Sequence, residues 1–198
     1  MSRIVVVGNL TLDGVMQAPG RPDEDTRDGF TRGGWAVPYQ DEVLAKTMSV
    51  HMTGNRALLL GRRTYEDLHG YWPAQTGNPY TEVLNEARKY VVSRTLTEPL
   101  PWRNSTLISG DIAGAVAKLR TEPGGDIAVL GSGELARTLM AHDLVDEYLL
   151  SIYPLVLGSG RRLFPGGVPV AELDLVDSVT TTTGVVLAHY RAQGGAGR

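Results

Sequence analysis

The sequence predicts an α/β protein whose central sheet is mostly parallel and finishes in an antiparallel hairpin. Five short apolar runs recur along the first two thirds of the chain, and segments with helical spacing of apolar residues separate them. The last third carries strand patterns around a turn. The 198 residues are 42% hydrophobic and 21% charged, which suffices to bury one core. We therefore expect one domain over residues 1–193 and a flexible tail over residues 194–198.

The apolar runs are the predicted parallel strands. A continuous apolar run, rather than an alternating one, is typical of a strand that helices cover on both faces. Most of the runs end at a glycine or a serine, which favours a turn directly after the strand. The five runs are Ile4–Gly8, Ala57–Gly61, Lys89–Ser93, Thr106–Ser109 and Ile127–Gly131.

Apolar spacing and capping residues place four predicted helices between these strands. Leu44, Met48 and Met52 recur four residues apart after an acidic pair and form one apolar stripe. Helical crossovers of this kind allow successive strands to run parallel. The other three predicted helices run from the Asn78-Pro79 pair to about Arg88, from Asp111 to the Pro123-Gly124-Gly125 stop, and from Glu134 to Ala141.

The last third of the chain completes a sheet of about eight strands. Asp146–Leu157 predicts one long strand, and Asp174–Thr181 and Val185–Arg191 flank a turn near Gly184. Two strand patterns around such a turn predict an antiparallel hairpin. Near the other end, Gly20–Tyr39 is an insertion of unusual length, which we interpret as a lid or a pocket wall.

Composition excludes several classes of function. The chain has no cysteine, which excludes disulfides, thiolate metal sites and thiol catalysis. Its four histidines form no metal-binding pair, and we predict no metal site. The balance of 19 Lys+Arg against 22 Asp+Glu, without a dense basic run, argues against nucleic-acid binding. No apolar run approaches the roughly 18 residues that a membrane-spanning helix needs, so we expect a cytoplasmic protein without a membrane partner.

Two strand-to-helix junctions are candidate phosphate sites. Gly131-Ser132-Gly133-Glu134 follows an apolar strand and opens a helix, so its N–H groups and the helix dipole favour an anion. The alternative is that these glycines only form a tight turn. Gly61-Arg62-Arg63-Thr64 places two guanidinium groups and a hydroxyl at another helix N-terminus. Solvated arginines with Thr64 as a helix cap are the alternative there.

Two further junctions carry polar groups. Ser93 and Arg94 follow a predicted strand and suit a phosphate monoester, such as the 2′-phosphate that separates NADP from NAD. An ordinary loop is the alternative. After the first strand, Thr11 and Asp13 place a hydroxyl and a carboxylate where the floor of a cleft would lie, unless Asp13-Gly14 is only a turn.

Several of these segments resemble a known family, in the right order. Gly61-Arg62-x-Thr64-Tyr65-Glu66 resembles the G-R-x-T-[WY]-E segment of dihydrofolate reductases and their relatives. Thr11-Leu12-Asp13-Gly14 resembles the S-L-D-G segment of the riboflavin-biosynthesis reductases, the C-terminal domain of the bifunctional deaminase-reductase. The resemblance covers residues 3–192 and extends to Val91-Val92-Ser93-Arg94, to Val129-Leu130-Gly131-Ser132-Gly133, and to the segment from Asp146-Glu147 through Gly158-Ser159-Gly160.

The resemblance implies a dihydrofolate-reductase-like α/β fold, NADPH as the cofactor, a small-molecule substrate and a homodimer. It is closest to reductases of the 5-amino-6-(5-phosphoribosylamino)uracil type in riboflavin biosynthesis. Matched residue by residue, it implies that two segments face the pyrophosphate from opposite sides and that a third binds the 2′-phosphate ribose. These segments are Gly61, Arg62, Arg63 and Thr64; Gly131, Ser132, Gly133 and Glu134; and Ser93 with Arg94.

The substrate side of the site is less defined by the sequence. We expect Asp13, and after it Asp41, to be the catalytic or substrate-facing acid, with Thr11 beside it. Trp35 in the insertion is a candidate platform for a planar heterocycle, with plain packing as the alternative. Ala45 lies where folate reductases carry their pterin-binding acid, which puts folate recognition in doubt. A non-catalytic NADP(H)-binding module and a true dihydrofolate reductase are the alternatives to the predicted reductase.

Overall fold

The computed structural model describes residues 1–53 and 55–193, and the predicted tail over residues 194–198 lies outside the described residues. The strands are β1 Ile4–Thr11, β2 Asn55–Gly61, β3 Arg88–Val92, β4 Ser105–Ile108, β5 Asp126–Leu130, β6 Glu147–Tyr153, β7 Leu173–Thr180 and β8 Val186–Ala192. The helices are α1 Glu42–Thr53, α2 Arg62–Tyr71, α3 Pro79–Glu86, α4 Ile112–Thr121 and α5 Gly133–Ala141.

The strands form one eight-stranded sheet in the order β4-β3-β2-β5-β1-β6-β8-β7. All neighbours from β4 to β6 pair in parallel, whereas β8 pairs antiparallel with both β6 and β7. The predicted fold class, a mostly parallel sheet of eight strands with a C-terminal antiparallel hairpin, is therefore confirmed. None of the helices in the described part of the chain has the length and hydropathy needed to cross a membrane.

Burial on both faces of the sheet explains the continuous apolar runs. In β1, Ile4 and Val6 belong to one buried cluster, and Val5 and Val7 belong to another. Successive side chains of a strand point to opposite faces, so a strand between two layers of helices must be apolar at every position. The parallel part of the sheet therefore lies between two buried apolar clusters.

Two predicted boundaries are wrong by a few residues. Helix α3 ends at Glu86 rather than near Arg88, because Ala87 is already extended and Arg88 begins β3. Strand β6 ends at Tyr153 rather than at Leu157. Pro154 follows directly, and proline has no N–H to donate to a sheet.

The insertion over residues 20–39 folds onto the rest of the chain. It contains the 3-10 turns Arg27–Gly29 and Val37–Tyr39. A Cβ at Gly33 would lie 2.6 Å from the carbonyl oxygen of Arg21, so the chain doubles back there at a distance that only glycine allows. The buried side chain of Gln17 donates to the carbonyls of Asp25 and Arg27. The insertion is therefore anchored at the start of its first turn.

Candidate functional site

The candidate site lies at the carboxyl ends of the parallel strands. β2 and β5 are neighbours, with Leu59 opposite Val129, so the loops that follow them lie side by side. Each loop leads directly into a helix, α2 after β2 and α5 after β5. Ligands of open α/β sheets bind at this edge, where loops and helix N-termini meet.

Ser132 joins the two loops. Its hydroxyl accepts the N–H of Gly61 at 2.9 Å, and its own N–H donates to the hydroxyl of Thr64 at 3.2 Å. Ser132 adopts a left-handed conformation with φ 50° and ψ 47°, which costs a non-glycine residue about 1 kcal/mol. The two cross-loop hydrogen bonds offset that cost and hold the start of α5 against the start of α2.

The glycines of both loops allow close packing. Gly131 has φ +52°, and a Cβ there would lie 3.4 Å from the Cγ2 of Thr64. A Cβ at Gly133 would lie 2.6 Å from the Sδ of Met16, closer than real Cβ contacts. These close approaches join parts of the chain to one another, so the structure supports the tight-turn role of Gly131 and Gly133 independently of any ligand.

The N-termini of α2 and α5 differ from those of the other helices. Side-chain oxygens of Asp41, Asn78 and Asp111 accept N–H groups in the first turns of α1, α3 and α4. Neither Gly61 before α2 nor Ser132 before α5 caps its helix with a side chain. The first N–H groups of a helix have no partner within the helix, and two adjacent uncapped N-termini form a suitable anion site.

Arginines surround this pair of helix N-termini. Arg63 of α2, Arg27 of the insertion and Arg161 after β6 have Nη1 atoms 3.9, 3.7 and 3.2 Å from one oxygen of Glu134. Arg62 instead pairs with Glu66 one turn along α2, at 2.8 Å. The sequence analysis missed Arg27 and Arg161. No local pattern marks them, because both reach the site through the tertiary fold.

Ser93 and Arg94 lie next to the two loops. Val92 pairs with Gly61, so the segment after β3 emerges beside the start of α2. The Ser93 hydroxyl accepts the N–H groups of Thr95 and Leu96, at 3.1 and 3.0 Å, and shapes this turn. Arg94 is exposed and forms no ion pair with any described residue. The segment therefore presents an available guanidinium at the same edge of the sheet.

Asp13 is held as an anion between its own loop and the loop after β6. It accepts the Thr11 hydroxyl at 2.6 Å and the N–H groups of Leu157 and Gly158 at 3.2 and 2.9 Å. The Thr11 bond is the main reason that the pKa of Asp13 falls to about 2, with the two N–H groups adding to it against some desolvation. Arg162 lies 3.3 Å away. The predicted acid therefore carries no proton near neutral pH, and Thr11, which is buried, serves to position it.

Asp41 is fully engaged in structural contacts. One carboxylate oxygen accepts the N–H of Leu44 at the start of α1. The other accepts the hydroxyl of Thr182 at 2.6 Å and its N–H at 2.8 Å, and the N–H of Thr183 at 3.3 Å, in the turn between β7 and β8. The Thr182 hydroxyl is the main reason that the pKa of Asp41 falls to about 2. Asp41 thus joins helix α1 to the hairpin, and none of its hydrogen bonds among the described residues reaches the loops 61–64 and 131–134.

Trp35 is packed inside the protein, as in the second of the two predicted roles. Its side chain is buried, with 7% of the residue exposed, and its indole N–H donates to the carbonyl of Gln17 at 2.7 Å. The ring packs edge-on against Tyr153 with centroids 5.2 Å apart. The indole anchors the insertion, and its burial supports plain packing over an open stacking platform for this residue.

The predicted residues thus fall into separate groups. The segments 61–64 and 131–134 meet directly, and Ser93 and Arg94 emerge beside them. Thr11 and Asp13 form a second cluster with the loop after β6, whereas Asp41 and Trp35 are structural. Among the described residues, no group of three His, Asp or Glu side chains is arranged to hold a metal ion.

Comparison with known families and curated proteins gives consistent matches. Residues 3–187 match the family model of the RibD C-terminal domain. Over 179 residues the chain is 35% identical to the uncharacterized protein YyaP of Bacillus subtilis, covering 85% of this chain and 92% of that protein. The uncharacterized protein YwjB of the same organism is 31% identical over 107 residues, covering 54% of this chain and 57% of that protein.

Solved structures share the fold over nearly the whole chain. A protein from Shewanella sp. named for riboflavin biosynthesis has a TM-score of 0.68 at 19% identity, covering 96% of this chain and 99% of that one. A pyrimidine reductase-like protein from Corynebacterium diphtheriae has a TM-score of 0.66 at 13% identity, covering 97% and 92%. At these identities the likeness concerns the fold.

Proposed function

Because the chain belongs to the RibD C-terminal domain family, we propose that it is an NADPH-dependent reductase of a small planar heterocyclic or carbonyl compound. The family and the reductase-like neighbours support an oxidoreductase. The proposed substrate class is the aminopyrimidine of the 5-amino-6-(5-phosphoribosylamino)uracil type, or a relative of it, in line with the neighbour described as pyrimidine reductase-like. We propose that one catalytic unit spans residues 1–193.

The observation that carries the proposal is the pair of uncapped helix N-termini joined by Ser132. Their free N–H groups and the arginines at 27, 62, 63 and 161 form a donor set of the kind that binds a pyrophosphate. The residues present therefore fit a dinucleotide. NADPH, when bound, supplies the hydride, and the protein binds and orients both reactants.

The preference for NADPH over NADH rests on the segment after β3. In this proposal the guanidinium of Arg94 and the hydroxyl of Ser93 hold the 2′-phosphate, since the hydroxyl hydrogen of Ser93 can be donated while its oxygen accepts two N–H groups. Arg94 is exposed, without an ion pair among the described residues, so binding a phosphate breaks no contact of its own.

Proton supply is assigned to solvent. The pKa of Asp13 and the pKa of Asp41 both lie at about 2, so near neutral pH neither carboxyl has a proton to donate. In the proposal, Asp13 fixes the loops after β1 and β6 and presents a negative edge to a hydrogen-bond donor on the substrate. Replacement by asparagine should then weaken substrate binding more than it lowers the maximal rate.

A non-catalytic NADP(H)-binding module is the second candidate. The observation that favours it is that both predicted acids are occupied and that Trp35 is buried. Such a module would bind NADPH through the same loops but would not oxidise it, whichever substrate is offered. A true dihydrofolate reductase is a weaker candidate, because an exposed Ala45 stands where folate reductases carry an acid.

We also propose a cytoplasmic homodimer. Edge strand β7 exposes Leu175 and Val176, and Val170 just before it is almost fully exposed. Exposed apolar residues on a sheet edge are suited to a second copy of the chain. Light scattering after size exclusion should give twice the mass of 21.4 kDa, and replacement of Leu175 and Val176 by lysine should return the monomer.

Titration of the protein with NADPH and NADH, followed by absorbance at the nicotinamide band with candidate pyrimidines and dihydrofolate, tests the function. We expect NADPH to bind at least about tenfold more tightly than NADH and to be consumed only with a pyrimidine. Binding without consumption by any candidate compound would favour the non-catalytic module. Failure to bind NADPH would overturn both.

A further inference from the structure

We propose that Glu134 is a built-in competitor for the phosphate ligand: its carboxylate occupies an anion site formed by Arg27, Arg63 and Arg161, and a diphosphate displaces it on binding. The proposal rests on the proposed function, since it concerns the same edge of the sheet. It adds Arg27 and Arg161, which no motif marks, to the proposed phosphate site. It also assigns Glu134 to competition with the phosphate, whereas the resemblance implies that Glu134 helps to bind it.

Three separate elements bring the arginines together. Arg27 lies in the insertion, Arg63 in the first turn of α2, and Arg161 in the loop after β6. Their Nη1 atoms lie 3.7, 3.9 and 3.2 Å from the same Oε1 of Glu134. Three guanidinium groups converging on one oxygen form an anion site, and the charges of Arg27 and Arg161 are partly balanced by Asp25 and Asp28.

The positions of Arg27 and Arg161 are set independently of Glu134. Arg27 forms a two-pronged ion pair with Asp25, and Arg161 pairs with Asp28 at 2.8 Å. The backbone N–H of Arg161 donates to the side-chain oxygen of buried Gln17 at 2.9 Å. The arginines would therefore remain in place when the carboxylate leaves, and the site is preorganised for another anion.

Two features show that the carboxylate fills the site poorly. The Glu134 side chain is 68% exposed, and two of its three arginine contacts exceed hydrogen-bond distance. The Nε of Arg161 is buried and has no hydrogen-bond acceptor among the described residues. A diphosphate carries more acceptor oxygens and more charge than a carboxylate, and guanidinium groups bind phosphate in a bidentate manner.

Glu134 also lies in the first turn of α5, next to the uncapped N–H groups. An acidic side chain there interacts favourably with the helix dipole, so it suits the ligand-free protein. The same position places a negative charge beside any phosphate that those N–H groups receive. Binding must therefore move Glu134 away or accept repulsion, and both lower the affinity.

Glu134→Gln is the direct test, with Glu86→Gln as the matched control. Glu86 has nearly the same exposure, 65%, pairs with Arg103 at 2.7 Å, and lies at the end of α3 away from the site. Calorimetric titrations at low salt would use NADPH and, separately, inorganic pyrophosphate. We expect E134Q to bind both about tenfold more tightly than wild type and E86Q to change both less than about twofold.

A double-mutant cycle separates competition from a general charge effect. Arg161→Gln removes a ligand contact, but in the wild type it also removes a contact of the competitor. Its loss of NADPH affinity should therefore be larger in the E134Q background than in the wild type, by about threefold or more. Thermal unfolding of each variant checks that the fold is intact.

The outcomes distinguish this inference from the proposed function. If wild type binds NADPH and E134Q leaves both affinities unchanged or weakens them, the competitor role is wrong, while the reductase proposal stands. If NADPH does not bind but pyrophosphate binds and E134Q tightens it, the anion site is supported and the reductase proposal fails. Equal losses for R161Q in both backgrounds contradict the displacement of Glu134.

Discussion

The two ends of the sheet use charged residues in opposite ways. At the amino end, buried Glu147 at the start of β6 accepts Arg3 at 2.7 Å, His189 at 2.8 Å and Arg191 at 3.2 Å. At the carboxyl end, three arginines share the exposed carboxylate of Glu134. The buried acid is enclosed by its donors, whereas the arginines can still receive an anion. The same residue types therefore stabilise one end of the sheet and, in the proposed function, bind a ligand at the other.

A second buried charge at the amino end follows the same logic. The ammonium of Lys89, at the start of β3, donates to the carbonyls of Asn85, Ala87 and Arg103, at 3.2, 2.7 and 3.1 Å. It also lies 4.5 Å from the centre of the Trp102 ring. All three ammonium hydrogens have acceptors, so this lysine joins the end of α3 to the loop before β4 and leaves no donor for a ligand.

Removal of the buried acid should have the largest effect on stability. Burial tends to raise the pKa of Glu147, but the hydrogen bond from His189 and the charge of Arg3 outweigh it, and the pKa lies below its usual range. We expect Glu147→Ala to lower the free energy of unfolding by about 3 kcal/mol, because it leaves His189 and Arg191 without this partner and Arg3 with only Asp126. Urea unfolding measures the loss. A variant that unfolds normally but binds NADPH more weakly would break the separation between the two ends.

Lys89→Met should cost somewhat less, about 2 kcal/mol, because methionine fills the volume but removes the ammonium donor of three carbonyls, of which the Asn85 carbonyl keeps the Nε of Arg103 at 3.3 Å. Lys46→Met, at an exposed position on α1, is the control and should change the unfolding free energy by less than about 0.5 kcal/mol. Chemical denaturation of both variants gives the comparison. Equal losses of unfolding free energy in the two variants would mean that the hydrogen bonds from Lys89 to the three carbonyls contribute nothing to stability.

Ser132→Ala tests the carboxyl end, where binding should change more than stability. It removes the acceptor for the N–H of Gly61 and loosens the contact between the two loops. We expect NADPH affinity to fall about fivefold, with a loss of stability of about 1 kcal/mol. Thr138→Ala, whose hydroxyl donates to the carbonyl of Glu134 along α5, is a nearby control for loss of a hydroxyl. Fluorescence titration should show a clearly smaller loss of affinity for the control.

The smallest effect is expected at Asp41 and depends on pH. The pKa of Asp41 in the folded protein is about 2, below its ordinary value of 3.8. A depressed pKa contributes stability above the unfolded value, and that contribution is lost as the pH falls through the folded value. The stability difference between wild type and Asp41→Asn should therefore be largest above about pH 4 and should decrease as the pH falls toward about 2. A stability difference that does not vary with pH between about 2 and 4 would contradict an ionised Asp41 carboxylate at the start of α1.

Local patterns were sufficient to predict the fold and to single out the two loops at 61–64 and 131–134, which lie side by side in the structure. Continuous apolar runs identified β1 to β5, since burial on both faces leaves no polar position. The glycine and arginine segments at 61 and 131 follow strands that proved to be neighbours, so two separate patterns meet at one place. The predicted ends of α3 and β6 lie a few residues too late, because the last residues of an element depend on the conformation of the residues that follow, the start of β3 at Arg88 and Pro154 after β6.

The substrate side was harder to predict because it depends on distant contacts. Trp35 could be a platform or an anchor, and only its packing against Tyr153 decides. Asp13 and Asp41 look like free acids in the sequence, but besides the nearby donors Thr11 and Leu44 they accept N–H groups of residues 157–158 and 182–183. Arg27 and Arg161 lie far apart in the chain and are brought together by the insertion.

Titration with NADPH of wild type, Arg63→Gln and Arg103→Gln tests the central claim most directly. Arg63 and Arg103 have the same side-chain exposure, 52%, but lie at opposite ends of the sheet. The account predicts saturable binding that weakens about tenfold in R63Q and stays within about twofold in R103Q. Equal affinities for the two variants would contradict an anion site at the carboxyl end, and no binding of NADPH by wild type would contradict a dinucleotide site there.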